Sequence, residues 1–165
     1  MTVVSDSSSL VILTKLGCFD LLNRLFPRLD ISAEVHQEVV VAGAGLPGAV
    51  EVSNAKWIEV KRLQNPAGLM SAQQTHALGL GEMSTILLAK ELGANLVPLD
   101  DYKARKLTKA EGLKILGSVG LLESFYDRGY LTDLRTHFRR LLTPNDYFDQ
   151  RLLDRRLRAL GLPPL

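Results

Sequence analysis

Cysteine occurs once in these 165 residues, at Cys18, so an intrachain disulfide and a cysteine-rich zinc site are both excluded. The three histidines, His36, His76 and His137, lack the i, i+4 spacing that places two imidazoles on one metal-binding helix face. No apolar run approaches the ~18 residues a membrane helix needs, so no membrane partner is expected. The opening MTVVSDSSSL has neither the basic region nor the long apolar stretch of a secretory signal, and the expected location is cytoplasmic. There is no Ser-His-Asp order and no glycine-rich phosphate loop. Net charge is small too, at +2.

That small sum hides an uneven distribution. Residues 1–101 carry 7 Lys/Arg against 11 Asp/Glu, a balance of −4, and residues 102–165 carry 13 against 7, a balance of +6. An acidic stretch followed by a basic one suits an anionic ligand held near metal-binding carboxylates. A solvated, arginine-rich helix face gives the same count. Arg139, Arg140, Arg151, Arg155, Arg156 and Arg158 are the residues in question.

What the chain has in place of the missing motifs is LVPLDDYKAR, residues 96–105. Apolar residues run into the adjacent acids Asp100 and Asp101, and a basic helical pattern follows. The stretch reads as a buried parallel strand with carboxylates at its C-terminal end, where open α/β sheets gather their ligands. Val3-Val4-Ser5 leads into Asp6 and three serines in the same way.

Strands are expected at Val3–Ser5, Leu29–Ile31, Trp57–Val60, Asn95–Leu99 and Leu113–Leu116, with helices between them. The serines after Asp6 offer N-cap hydroxyls, Gly17 and Pro27 end the first two helices, and Ser32 caps a third running to about Val41. Glu34 and Glu38, four apart, share a face of that helix. AGAGLPGAV, residues 42–50, reads as a loop. Glu82 opens the helix EMSTILLAKELG, where the dipole favours an acid. Near the end, Thr143 and Pro144 mark a helix start and Gly161 lies beyond its end. Strands alternating with helices predict an α/β fold, a three-layer α/β/α sandwich. Residues 1–130 form its main domain, and residues 131–165 form a basic helical extension packed on it.

The acids Asp6, Glu38, Glu82, Asp100 and Asp101 are the candidates for chemistry. Carboxylates about 4 Å apart repel by roughly 4 kcal/mol at an effective dielectric of 20, so a cluster calls for a cation, a shared proton or wide spacing. Hard cations such as Mg²⁺ and Mn²⁺ take oxygen ligands and can activate water on a phosphodiester. Each acid also has a plainer reading. Asp6 and Asp101 can cap helices, Glu82 can be a first-turn acid, and Glu38 can be a solvated helix residue.

The order of VVSDSSSLVILTKLG, ISAEVHQEVV and LGLGEMSTILLAKELGANLV, followed by the acid pair, resembles a PIN domain over about residues 1–125. Within that family it looks like the VapC-like branch, whose members often read D-S-S-P-L near the start and G-E ahead of the third acid. The resemblance implies a five-stranded parallel sheet ordered 3-2-1-4-5 and a Mg²⁺- or Mn²⁺-dependent endoribonuclease acting on RNA. It further implies the toxin of a toxin–antitoxin pair, a homodimer inhibited by a small antitoxin protein.

Matched by position, Asp6, Glu38, Glu82 and Asp100 form the family's acidic quartet. Asp6, Glu82 and one of Asp100 or Asp101 would hold the metal. Ser8, Lys15 and Arg105 are candidate contacts to metal or substrate. Ser9 and Ser32 stand where the branch has proline, and Pro98 stands where many relatives have threonine. The adjacent acids leave the fourth ligand open between Asp100 and Asp101, and gapless pairing favours Asp100. Two other readings stay open: a catalytically inactive PIN-like module that binds RNA or protein, and a receiver-like domain. The second wants a lysine where this chain has Gly117-Ser118.

Overall fold

A computed structural model describes residues 1–144 and 148–165. The chain forms two compact units, Met1–Ser118 and Val119–Leu165.

The first unit is α/β and begins with the elements that carry the acids. Val3 and Val4 are extended and buried, and helix α1 (Ser7–Lys15) follows at once. Its N-cap is Asp6, whose side chain accepts from the Ser9 N–H, so the acid and not the expected serines closes the first turn. Helix α2 (Phe19–Leu25) stops ahead of Pro27. Strand β1 (Leu29–Ser32) leads into α3 (Ala33–His36), capped by Ser32 as its sequence indicates.

The helix does not continue to Val41 as an α-helix. It passes into a π-helical stretch, Gln37–Ala42. The two glutamates expected to share a face differ in surroundings. Glu34 Oε2 is buried, whereas Glu38 is exposed. The glycine-rich segment is also not all loop. Helix α4 (Ala49–Asn54) begins inside it, entered through Gly48 at φ +99 and closed by Glu51, which accepts from the Gly48 N–H.

Strand β2 (Ile58–Lys61) comes next, then α5 (Leu69–His76), α6 (Leu80–Leu92) and β3 (Val97–Pro98). Helix α7 (Tyr102–Ala110) and β4 (Ile115–Leu116) complete the strand–helix alternation, and α8 (Ser118–Asp127) begins on the unit's last residue.

The five-stranded sheet is replaced by two parallel pairs, β1 with β2 and β3 with β4. Val3 and Val4 stand between them through isolated parallel bridges, Val3 to Leu96 and Val4 to Asp30. Local chemistry explains why no continuous ladder forms. The capping geometry at Asp6 starts a helix three residues after Val4, and Pro98 has no N–H to donate. The bridges still place Asp6 beside the β3 end, where its N–H reaches the Pro98 carbonyl at 3.4 Å. Val4, Leu78, Met83, Ile86, Leu88, Val97, Leu99 and Ala104 form a buried cluster beneath this region.

The second unit holds the rest of α8, then α9 (Leu134–Leu141) and α10 (Gln150–Ala159). Helix α10 does not start at Thr143-Pro144. Its N-cap is Asp149, which accepts from the Arg151 N–H at 2.9 Å. Phe125, Phe138, Leu153 and Leu157 are fully buried. Arg156 is spent on structure: its Nε and Nη2 donate to the two oxygens of the buried Glu123, each at 2.6 Å.

Candidate active site

The first acid serves two ends at once. Asp6 is 1% exposed, and its Oδ1 takes the Ser9 N–H at 3.0 Å. Its Oδ2 is buried and, among the described residues, has no hydrogen-bond partner. Burial is the main reason that the Asp6 carboxyl is pushed up from 3.8 to about 7. The Ser9 N–H and the nearby Ser9 hydroxyl oppose the rise, and the charges of Asp100 and Glu82 add to it.

Glu38 approaches from the π-helical stretch, and its Oε2 accepts from Ser7 Oγ at 2.7 Å. On the other side is the first turn of α6. Glu82 Oε2 accepts from the Gly79 N–H at 2.7 Å, closing that turn from within. Glu82 is half-buried, and burial first, then the charges of Asp101 and Glu38, raise its carboxyl above the ordinary range. Between these two glutamates lies Gly81. A Cβ there would stand 2.3 Å from Glu38 Oε2 and 3.2 Å from Ser7 Oγ, so only glycine lets the carboxylate lie against the helix.

The turn is fixed from behind by hydroxyls. Ser84 Oγ and Thr85 Oγ1 both donate to the Gly81 carbonyl, at 2.9 and 2.8 Å, and Ser84 Oγ also lies 2.7 Å from Ser32 Oγ. The result is a cleft of about 40 Å³ lined by Asp6, Ser7, Ser8, Glu38, Gly79, Gly81 and Glu82. That exceeds the roughly 10–15 Å³ one water molecule needs.

The acid pair after β3 divides its work. Asp101 is exposed and caps α7, its Oδ1 accepting from the Ala104 N–H at 2.8 Å. Asp100 instead accepts from Ser118 twice: its Oδ1 takes the N–H at 2.7 Å and its Oδ2 takes the hydroxyl at 2.5 Å. Burial raises the Asp100 carboxyl, and the Ser118 hydrogen bonds and the Arg105 charge oppose that rise. Arg105 is held by the Leu99 carbonyl at 3.1 Å. Gly117 admits both groups, since a Cβ there would lie 2.5 Å from Arg105 Nη1 and 3.0 Å from Asp100 Oδ1.

Asp6, Glu38, Glu82 and Ser8 thus share one cleft. Asp100 does not line it but acts on Asp6 through its charge, and Arg105 accompanies Asp100. Lys15 is not brought in. It is exposed at the far end of α1, about 12 Å along the helix axis from Ser7. Sequence reasoning passed over Ser7, Gly81 and Ser118. The spacing G-L-G-E at residues 79–82 held a signal for Gly81, because a glycine one residue before a first-turn acid invites close approach by another chain segment. Nothing local marks Ser118 as the partner of an acid 18 residues earlier.

The donor set is all oxygen, and the orphaned Asp6 Oδ2 is the kind of atom a hard cation satisfies, so the chemistry fits Mg²⁺ or Mn²⁺. A ready-made cage is another matter. Among the described residues, no group of three or more His, Cys, Asp or Glu side chains is arranged to hold a metal ion.

A family model described as a PIN domain matches residues 2–162, nearly the whole chain. The chain belongs to the PIN domain family. PIN domains are commonly nucleases, generally use divalent metals and often bind RNA. The match runs across both compact units, so the C-terminal helices lie within the family's span. No curated protein matches this PIN domain chain. Among its described residues, no helix is long and apolar enough to cross a membrane.

Proposed function

We propose that this PIN domain protein is a metal-dependent endoribonuclease that hydrolyses RNA phosphodiester bonds at the Asp6–Glu38–Glu82 cleft. One observation carries the reading. Asp6 is buried at the head of α1 with one oxygen tied and the other orphaned, beside two more acids whose charges it feels. A structural cap needs only the first oxygen, and burying the second unpaired has a cost that a cation at Oδ2 would offset.

In this reading Asp6, Glu82 and Asp100 would hold Mg²⁺ or Mn²⁺. When bound, the ion supplies activation of water and stabilisation of the leaving oxygen. Asp100 is the fourth acid because Asp101 is committed to capping α7. Ser118 fixes the orientation of Asp100, and Ser7 fixes that of Glu38 at the opposite wall. Ser8 and the head of α1 face the space a phosphate would enter. The motif resemblance extends the reading to a cytoplasmic VapC-like toxin, a homodimer restrained by a small antitoxin protein.

A second reading, an inactive module that binds RNA or protein, is favoured by one observation, the lack of a preformed three-ligand group among the described residues. Purified protein with structured RNA, with and without Mn²⁺, separates the two. Cleavage that needs the metal and falls at least about a hundredfold in Asp6→Asn, the scale seen for removing a group that stabilises the transition state, supports the nuclease. Binding without cleavage under any divalent metal supports the module.

A further inference from the structure

The six arginines singled out above from the basic C-terminal stretch are not equivalent in the fold. Arg156 is locked to Glu123. Arg151, Arg155 and Arg158 are different: all three are exposed on α10, and among the described residues none makes an ion pair or a side-chain hydrogen bond. At about 100° per residue, Arg155 and Arg158 fall about 40° and 20° to either side of Arg151. The three make one stripe about 10 Å long. Leu153 and Leu157, both fully buried, occupy the opposite side.

A neutralising acid is within helical reach but is otherwise employed. Asp154 lies three residues after Arg151 and four before Arg158, the spacings at which helical ion pairs form. Its Oδ1 instead accepts the Leu165 N–H at 2.7 Å. Asp149 is likewise used, capping the helix at Arg151 N–H.

We propose that this stripe of α10 is a phosphate-binding track for single-stranded RNA; the choice of RNA rests on the nuclease reading above. Guanidinium groups recognise phosphate oxygens through paired N–H donors and need no apolar neighbour to do so. A protein interface would instead call for a buried apolar or aromatic anchor at its centre. The centre of this stripe has none, because the helix turns its leucines at 153 and 157 inward. The stripe belongs to the second unit, and its role is to hold the strand, not to cut it.

The test is direct binding of the full chain to a short fluorescein-labelled single-stranded RNA by anisotropy, in EDTA so that no cleavage intervenes. The variant is Arg151→Gln with Arg155→Gln and Arg158→Gln. A charge-matched control replaces the scattered, exposed Lys56, Arg62 and Lys114 with Gln. Three lost phosphate contacts remove about 2 from the slope of log affinity against log salt, at roughly 0.7 per contact on a single strand. Raising salt from about 50 to about 200 mM should therefore weaken the parent about twentyfold more than the stripe variant, with the control following the parent. Equal slopes for parent and stripe variant overturn the proposal, as does a control that shifts as much as the variant. It is also overturned if the parent does not bind RNA, or if the substitutions spare RNA but abolish binding to poly-glutamate, which marks an acidic protein partner. A parent that binds through the stripe yet never cleaves with Mn²⁺ removes the nuclease reading and leaves the track standing.

Discussion

Two turns of the first unit solve the same problem differently. After Val3-Val4-Ser5 a single acid, Asp6, both caps the next helix and faces the cleft. After Val97–Leu99 the two tasks are split: Asp101 caps α7, and Asp100 turns to Ser118. The split version leaves both Asp100 oxygens hydrogen-bonded and Arg105 close by. The combined version leaves Asp6 Oδ2 buried and, among the described residues, without a hydrogen-bond partner. Burial is what pushes that carboxyl up to about 7, and no second donor opposes it at Oδ2 among the described residues.

The comparison can be broken first at Asp6. Its folded-state value of about 7 lies above the unfolded 3.8, so between those pH values the folded protein holds the extra proton. The stability this represents is fully present below about pH 4 and is lost as pH rises through 7. The span corresponds to about 4 kcal/mol, an upper figure for a single buried group. Asp6→Asn keeps the cap, since Asn caps as well as Asp, and removes the titration. Without metal, the variant should melt close to the parent near pH 4 and clearly above it near pH 8. Parallel melting curves across that range would show that Asp6 is not the strained group.

A middle-sized effect separates the two acids of the second turn. At a hundredfold excess over its Kd, Mn²⁺ should add about 2.7 kcal/mol to the parent's stability. Asp100→Asn should lose most of that gain and melt slightly above the metal-free parent, by less than Asp6→Asn does, because Ser118 already satisfies Asp100. Asp101→Asn should keep the whole metal-dependent gain. Thermal melts of the three proteins with and without Mn²⁺ decide it. If Asp101→Asn loses the gain and Asp100→Asn keeps it, the roles are reversed.

The smallest effect sharpens the capping half. Asp101→Ala should cost about 1 kcal/mol, the usual loss on removing an N-cap, and should leave metal-dependent cleavage intact. Urea unfolding together with an RNA cleavage assay measures both at once. A loss of cleavage much greater than the loss of stability would return Asp101 to the site.

Local chemistry made much of this legible in advance. The ends of α1 and α2 follow from Gly17 and Pro27, and Ser32 caps the helix its position suggests. Helix α4 was hidden because the residues before Ala49 carry the marks of a loop, and Gly48 turns out to be its entry. The sheet was overread. An apolar run such as Asn95–Leu99 does not reveal that proline and a helix cap will cut its pairing with the first strand to a single bridge. The acids were legible by their order along the chain, and capping was already the plainer reading of Asp6 and Asp101. Asp6 caps α1 and also lines the cleft, and Asp101 caps α7. Ser118 and Gly81 were out of reach because their partners, Asp100 and Glu38, are distant in sequence and meet them only through the fold.

The π-helical stretch sets a limit on how this chain can change length. A π turn holds about one residue more than an α turn. Losing any one residue between Gln37 and Ala42 would let the helix close at the tighter pitch. That closure would keep the segments on either side in phase, because the residue removed is the extra one of the wider turn. Its cost would fall inside the turn, where Glu38 reaches Ser7 and Val39 is buried. An insertion has no such outlet: one residue more would turn whatever follows by about 100° against whatever precedes it.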